Sequence, residues 1–239
     1  MNDISNAKQY SEFWSNESDF LEFHHIYEKL ANISPEGNVL EVGCGVGNGT
    51  LHLSKNHNVL SLDSNLGLIN EAEKRLDAIN VAHNICRCDF FSLSEEDKQV
   101  ILDFEPKVIA GWFIGSHGED IYKHTTEEPD FRVKSKLYRE KIEDIVISKS
   151  MCVDTVEYIH LVSRGGVIDG FTEADIFKDV KDDYDTYVFN QIGFEVIDVK
   201  QIPWPRDGST FQYGSAPNPN LAQGNAIPMI TSLIAKKMG

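Results

Sequence analysis

The chain has 239 residues, of which 41% are hydrophobic and 10% aromatic, so it can bury a sizeable core, and this length suits one α/β domain. Its formal net charge of −16 argues against a nucleic-acid backbone as substrate, because nucleic-acid-binding proteins usually carry a basic surface. The same charge disfavours anionic membranes, so we predict no nucleic-acid partner and no membrane partner, and it is compatible with a small-molecule substrate, a basic protein partner or plain solubility.

Targeting signals and metal-binding patterns are not apparent in the sequence. The first residues lack the apolar core of a signal peptide, and no apolar run reaches membrane-spanning length, which predicts a cytoplasmic protein. The four cysteines are scattered, without a C-x-x-C pair or a histidine cluster: Cys44, Cys86, Cys88 and Cys152. We therefore predict reduced thiols and no metal site.

The N-terminal segment combines aromatic residues with a helical pattern. Tyr10, Phe13 and Trp14 come first, and apolar residues then recur at helical spacing from Phe20 to Leu30, with Ser18 as the expected N-cap. This pattern predicts a helical cap over about residues 1–35. The cap covers either the sheet edge or the ligand, or it simply packs against the domain.

A glycine-rich loop follows the first predicted strand, Val39–Val42, and leads into a helix through Thr50. The loop has the sequence Gly43-Cys44-Gly45-Val46-Gly47-Asn48-Gly49. Glycines let the backbone adopt positive φ and approach a ligand closely, as in nucleotide sites. Glu41 precedes the loop, and its carboxylate would repel a phosphate but accept an ammonium or a hydroxyl.

Two further predicted strands carry acids at their ends. Asp63 closes the segment 58–63 and lies twenty residues after Gly43, where such folds hold a ribose diol. The segment 83–90 ends in an acid, Asp89, followed by an aromatic residue, Phe90. The alternative for each acid is an ordinary helix N-cap or turn residue.

The pattern Glu-x-Gly-x-Gly-x-Gly, with these acids, resembles class I S-adenosylmethionine (SAM)-dependent methyltransferases. The dinucleotide fingerprint matches less well, because Val46 stands where its third glycine should be. The resemblance implies SAM as cofactor, with the methionine moiety near the loop, the ribose on Asp63 and the adenine at Asp89. The cofactor-binding candidates that it implies are Glu41, Gly43, Cys44, Gly45, Gly47, Asp63, Ser64, Asp89, Phe90 and Trp112.

The remaining elements alternate between helix and strand. Helices are predicted at 66–79, 137–146, 151–162 and 184–192. Two more are predicted to begin at capping boxes, at Ser94 and at Thr172. Predicted strands are 107–114, 166–171, 194–202 and 229–235, with a polar stretch at 116–134. Alternation predicts a doubly wound, mostly parallel sheet. The resemblance implies seven strands, the last antiparallel.

Candidate acceptor-side residues lie in the loops that follow the strands. His117 follows the fourth predicted strand and is the candidate general base, because the ordinary pKa of histidine is near neutral; the alternative is a solvated loop histidine. The long connection 203–227 is predicted as a substrate lid, with a plain surface loop as alternative. The substrate-binding candidates are Tyr10, Trp14, His117, Trp204, Arg206 and Tyr213.

These observations predict a SAM-dependent methyltransferase that acts on a small molecule. Methyltransferases that act on exocyclic base amines carry an Asp/Asn-Pro-Pro-aromatic motif where this chain has Ala110-Gly111-Trp112-Phe113, so that acceptor class is not expected. The acceptor atom and oligomeric state are left open. The alternatives are a nucleotide-dependent oxidoreductase and a non-catalytic module with this fold that binds a basic protein.

Overall fold

A computed structural model of the chain describes residues 6–128, 130–209 and 226–239. In this part of the chain seven strands form one sheet, in the order β3-β2-β1-β4-β5-β7-β6. The strands are β1 (Val39–Val42), β2 (Val59–Asp63), β3 (Ile85–Arg87), β4 (Val108–Trp112), β5 (Tyr158–Ile168), β6 (Phe194–Pro203) and β7 (Ala226–Lys237). Only β7 runs antiparallel to its neighbours β5 and β6.

Helices cover both faces of this sheet. One layer contains α1 (Ala7–Phe23), α2 (Ile26–Ile33), α3 (Asn48–Leu53) and α4 (Leu66–Ala78). The other contains α5 (Glu95–Phe104), α6 (Gly118–His124), α7 (Phe131–Val146) and α8 (Glu173–Tyr184), with short helical turns at Phe90–Ser92, Asp185–Phe189 and Asn190–Ile192. No helix among the described residues has the length and apolar character needed to cross a membrane.

The alternation of side chains along β1 shows why its sequence is continuously apolar. Val39 packs in a cluster with Leu30 of α2 and Leu53 of α3, whereas Leu40 packs in a second cluster with Ile101 of α5. A parallel strand covered on both faces needs apolar residues in both directions. The prediction of a doubly wound, mostly parallel seven-stranded sheet with an antiparallel last strand is confirmed.

The N-terminal helix begins much earlier than the sequence pattern indicated. Asn6 is the N-cap of α1, and its side chain accepts a hydrogen bond from the backbone N–H of Gln9. Ser18 is not an N-cap but a buried residue within α1, because its hydroxyl is engaged by the Tyr27 hydroxyl and by the Asn48 side chain. The helix ends at Phe23, and α2 begins after His25, which has a left-handed φ of 57°.

The predictions around β5 were wrong in two places. The segment 151–162 was predicted as helical and 166–171 as a strand, but Tyr158–Ile168 forms one strand between β4 and β7. Gly165 and Gly166 do not end an element, since they pair with Met229 and Pro228 across β7. Short apolar runs do not distinguish helix from strand, and sheet pairing decided between them here.

Two smaller differences affect the ligand-facing edge of the sheet. The polar stretch 116–134 contains α6, which has His117 as its N-cap. The strand β3 ends at Arg87, and Asp89 caps the turn Phe90–Ser92 by accepting a hydrogen bond from Phe91 N–H at 3.0 Å. The capping boxes predicted at Ser94 and Thr172 are both formed.

Candidate cofactor and acceptor site

The glycine loop uses its own N–H groups to fix its shape. Gly43 and Cys44 donate to the carbonyl of Leu62, at 2.8 and 3.0 Å, and Gly47 donates to the carbonyl of Cys44 at 3.0 Å. Gly45 donates to Oδ2 of Asp63 at 3.0 Å. These four amides are therefore engaged by protein oxygens, whereas a pyrophosphate site needs such amides for the ligand.

Asp63 joins the glycine loop to the end of β2. Its side chain is buried, with Oδ2 bound by Gly45 and Oδ1 accepting from Asn65 N–H at 2.9 Å. Burial raises the pKa of this carboxyl from 3.8 to about 6, although the backbone N–H donors oppose the shift. Each oxygen keeps a further lone pair, so the carboxylate can also accept hydrogen bonds from a ligand diol.

Glu41 lies beneath the loop. Thr50 Oγ1 and Ser61 Oγ both donate to Oε2 of Glu41, at 2.5 and 2.7 Å, and the side chain is buried. Burial raises the pKa of Glu41, and the two hydroxyl donors oppose that shift. In this position the carboxylate holds together β1, β2 and α3.

Two adjoining spaces lie above the loop at the carboxyl ends of the strands. The inner cavity, of about 40 Å³, is bordered by the glycine loop, Asp63, Trp112 and the side chains of α1. The outer groove, of about 1230 Å³, runs between α1, α4 and the turn at Phe90. The two spaces are adjacent, because four residues border both of them: Ser64, Asn65, Phe90 and Tyr138.

Most of the predicted cofactor residues converge on these spaces. The inner cavity is bordered by Gly43, Gly45, Asp63, Ser64, Phe90 and Trp112, and the outer groove by Asp89. Glu41, Cys44 and Gly47 border neither of them. Gly47 instead allows close packing of the loop on α4, because a Cβ there would lie 3.0 Å from Cβ of Ala72.

Residues 39–104 match the family model of a methyltransferase domain. This segment, which contains the glycine loop and Asp63, is therefore similar to a methyltransferase domain. None of the curated proteins matches the chain in sequence.

Solved structures with a similar chain course include several methyltransferases. Magnesium protoporphyrin IX methyltransferase from Synechocystis PCC 6803, with bound SAM, has 12% identity and a TM-score of 0.45, over 99% of this chain and 85% of that one. A SAM-dependent methyltransferase from Clostridium acetobutylicum has 11% identity and a TM-score of 0.44, over 94% and 92%. An rRNA methylase from Streptococcus thermophilus has 14% identity and a TM-score of 0.42, over 91% and 96%.

The residues that border these two spaces have the chemistry to hold the ribose and adenine ends of SAM. Asp63 presents a buried carboxylate at the cavity, and Ser64, Asn65 and Phe90 continue from it into the outer groove. At the methionine end, Trp14 of α1 lies against the loop: a Cβ on Gly45 would be 2.6 Å from its Nε1. The inner cavity has room for no more than a few water molecules, so a methionine tail bound there would need Trp14 to be displaced.

His117, the predicted base, lies in the wall of the outer groove. Its Nδ1 accepts a hydrogen bond from Asp120 N–H at 3.4 Å, as the N-cap of α6. Tyr138, which was not predicted as a site residue, borders both spaces and donates from its hydroxyl to Asp120 Oδ2 at 2.5 Å. Burial and the Asp120 carboxylate both raise the pKa of Tyr138, so its hydroxyl stays protonated.

The predicted acceptor residues divide into three groups. Tyr10 and Trp14 border the inner cavity, with their rings parallel at 6.5 Å between centroids. Trp204 and Arg206 lie beyond that cavity, with the Arg206 guanidinium 4.9 Å from the Trp204 ring centroid. Tyr213 and most of the predicted lid, residues 210–225, lie outside the described residues.

Trp112 is held from behind by a buried histidine that the sequence analysis missed. Its indole Nε1–H donates to Nδ1 of His160 at 3.3 Å, and Nε2 of His160 contacts Oγ of Ser232 at 2.8 Å. Burial lowers the pKa of His160 to about 3, so the ring is neutral. The network fixes the indole that borders the inner cavity.

Replacing each of two loop glycines with alanine should distinguish a glycine needed for packing from one needed for ligand binding. Both have positive φ, 81° at Gly43 and 84° at Gly47, which costs about 1–2 kcal/mol for alanine. Gly47→Ala also overpacks Ala72, so we expect roughly 1–3 kcal/mol more loss of unfolding free energy than for Gly43→Ala. A Cβ on Gly43 has no protein atom within 4 Å, so Gly43→Ala should be the variant that weakens S-adenosylhomocysteine (SAH) binding more. Urea unfolding measures stability and calorimetry measures SAH affinity. If one variant showed the larger loss in both measurements, these separate roles of Gly43 and Gly47 would be contradicted.

The affinity for SAH should depend on pH through Asp63. Burial raises its pKa to about 6, and ribose hydroxyls donate to the ionised form, so affinity should fall as pH drops below about 6. The stability of the ligand-free protein depends on pH in the opposite direction. The folded state binds the proton more tightly than the unfolded state, so stability is lost as pH rises from about 4 to about 6. Calorimetry of SAH binding from pH 5 to 8 measures the affinity, and a constant affinity over this range would contradict the role of Asp63.

Proposed function

We propose that the chain transfers a methyl group from SAM to a small-molecule acceptor at the inner cavity. The supporting observation is the pairing of a loop whose amides are engaged by protein oxygens with a buried carboxylate that faces the same cavity. That pairing suits an adenosyl ligand without phosphate. It disfavours a pyrophosphate, which would meet the carboxylate and find these amides occupied.

Asp63 would hold the ribose diol, and Ser64, Asn65, Asp89 and Phe90 would surround the adenosine along the outer groove. SAM supplies a methyl group that is already activated by a sulfonium. The protein then mainly aligns the acceptor and excludes water. Aromatic side chains of α1 and Trp112 enclose the inner cavity and would exclude water from it.

A small acceptor is favoured over a nucleic acid by charge. The outer groove carries acids as well as bases, with Glu12, Glu71, Asp89 and Asp120 facing Lys8, Lys74 and Arg87. The chain as a whole has a net charge of −16. A phosphate backbone needs a predominantly basic track.

Calorimetric titration with SAM and SAH tests the cofactor, and SAH release from SAM across a panel of phenols, amines and carboxylic acids tests transfer. We expect SAH binding and release with at least one acceptor class. No binding of either compound would contradict the proposal, and binding of a nicotinamide dinucleotide would favour the oxidoreductase alternative. Cofactor binding without transfer to any acceptor would favour the non-catalytic module.

A further inference from the structure

The side chain of Arg164 is largely buried, with 7% exposure, near the carboxyl ends of the parallel strands that carry the cofactor site. It lies in β5 two residues beyond Val162, which pairs with Trp112 at the end of β4. Three aromatic rings surround its guanidinium, with Cζ at 4.9 Å from the Trp14 centroid, 5.0 Å from Phe113 and 5.8 Å from Trp204. Trp14 and Phe113 border the inner cavity, so the guanidinium lies directly behind its wall.

Glu17 of α1 supplies a carboxylate to this guanidinium, but the ion pair is loose. Nη1 of Arg164 is 3.5 Å from Oε1 of Glu17, longer than the roughly 2.7–2.9 Å of a charge-assisted hydrogen bond. The other oxygen of Glu17 accepts a hydrogen bond from the Ser209 hydroxyl at 2.5 Å, so the carboxylate does not grip the guanidinium with both oxygens. Burial raises the pKa of Glu17 even beside Arg164.

A second arginine acts on the same carboxylate. Arg206 lies over the Trp204 ring, and the charges of Arg206 and Arg164 both lower the pKa of Glu17 against the larger effect of burial. Arginine recognises carboxylates with a planar fork and also stacks on aromatic rings. In a chain of net charge −16, this cluster therefore combines two cations with aromatic surface beside the cofactor site.

The position of Glu17 on α1 links this pair to cofactor entry. Trp14 and Glu17 are three residues apart, so they lie on the same face of the helix. Both are buried, as is Leu21 one turn further on. If α1 moved so that Trp14 left the glycine loop, Glu17 would also be withdrawn from Arg164.

We propose that Arg164 binds the carboxylate of an aromatic acid that serves as methyl acceptor, and that Glu17 occupies this place while α1 is closed. The assignment rests on the proposed methyltransferase function and names its acceptor class. Phe113 and Trp204, which are not part of α1, would pack against the ring of the acid. Arg206, which also lies over the Trp204 ring, adds a second positive charge.

The test compares phenylacetate with phenylacetamide, which has the same shape but no charge, by calorimetry on the SAH-saturated protein. We expect phenylacetate to bind about tenfold more tightly, as a hydrogen-bonded charge contact predicts. Glu17→Gln removes the internal competitor and should raise phenylacetate affinity about tenfold further while leaving phenylacetamide unchanged. Arg164→Met should abolish the preference, whereas Lys178→Met, at an exposed site on α8, should retain it.

Equal binding of the two probes to SAH-saturated Glu17→Gln, or binding of neither, would overturn the assignment of Arg164. An unchanged preference in Arg164→Met would overturn it too. If Arg164→Met does not fold, Arg164→Lys serves instead, since it keeps the charge without the planar fork and should reduce the preference. Failure of the wild-type protein to bind SAH would instead contradict the proposed function itself.

Discussion

Replacing Asp63 with alanine is expected to weaken SAH binding about 100-fold or more. The carboxylate borders the inner cavity, and two hydrogen bonds from a diol to a charged acceptor contribute about 1.5–3 kcal/mol each. The substitution also removes the acceptor for the Gly45 N–H, which fixes the loop from the other side. Both effects act on the same ligand, so this should be the largest loss from any single change at the ribose end.

Asp89→Ala is the matched control for Asp63→Ala. Asp89 lies in the outer groove, is half-exposed, and already accepts a hydrogen bond from Phe91 N–H, so its loss should weaken SAH binding by less than about tenfold. Calorimetry measures both affinities, and circular dichroism shows whether each variant is folded. A folded Asp63→Ala protein that binds SAH within about fivefold of wild type would contradict the assignment of the ribose to Asp63.

The cofactor end of the site could be predicted from sequence because its chemistry is local. An apolar strand, glycines and an acid occur within a few residues of each other, and parallel strands bring Gly43 and Asp63 to the same edge of the sheet. The hydrogen bonds that the loop amides make could not be predicted from the sequence. The engagement of Gly43, Cys44 and Gly45 by oxygens of β2 depends on strand pairing across the sheet.

The acceptor end was harder to predict because its residues meet only through tertiary packing. Glu17 and Arg164 are 147 positions apart, and their contact requires α1 to lie on β5. The segment around Arg164 was divided between a predicted helix and a predicted strand. Its position near the carboxyl ends of the parallel strands therefore could not be predicted. Glu17 carried a signal: it is a charged residue one turn from Trp14 on the buried face of α1.

Replacing Glu41 with alanine is expected to lower the free energy of unfolding by about 2–4 kcal/mol. The substitution leaves a cavity and removes the carboxylate to which the buried hydroxyls of Thr50 and Ser61 both donate. Ser61→Ala removes one of those donors and keeps the carboxylate, so it should cost only about 1 kcal/mol. Urea denaturation measures both changes.

Ligand binding by Glu41→Gln then distinguishes two roles for this residue. The resemblance to methyltransferases implies a place near the methionine moiety, whereas the structure shows the carboxylate beneath the loop, held by Thr50 and Ser61. A residue that supports the loop should affect SAH and 5′-methylthioadenosine alike, because the second compound shares the adenosine but lacks the amino-acid tail. We expect Glu41→Gln to weaken both ligands by the same factor, to within about twofold. A loss confined to SAH would show instead that Glu41 contacts the ammonium of the tail.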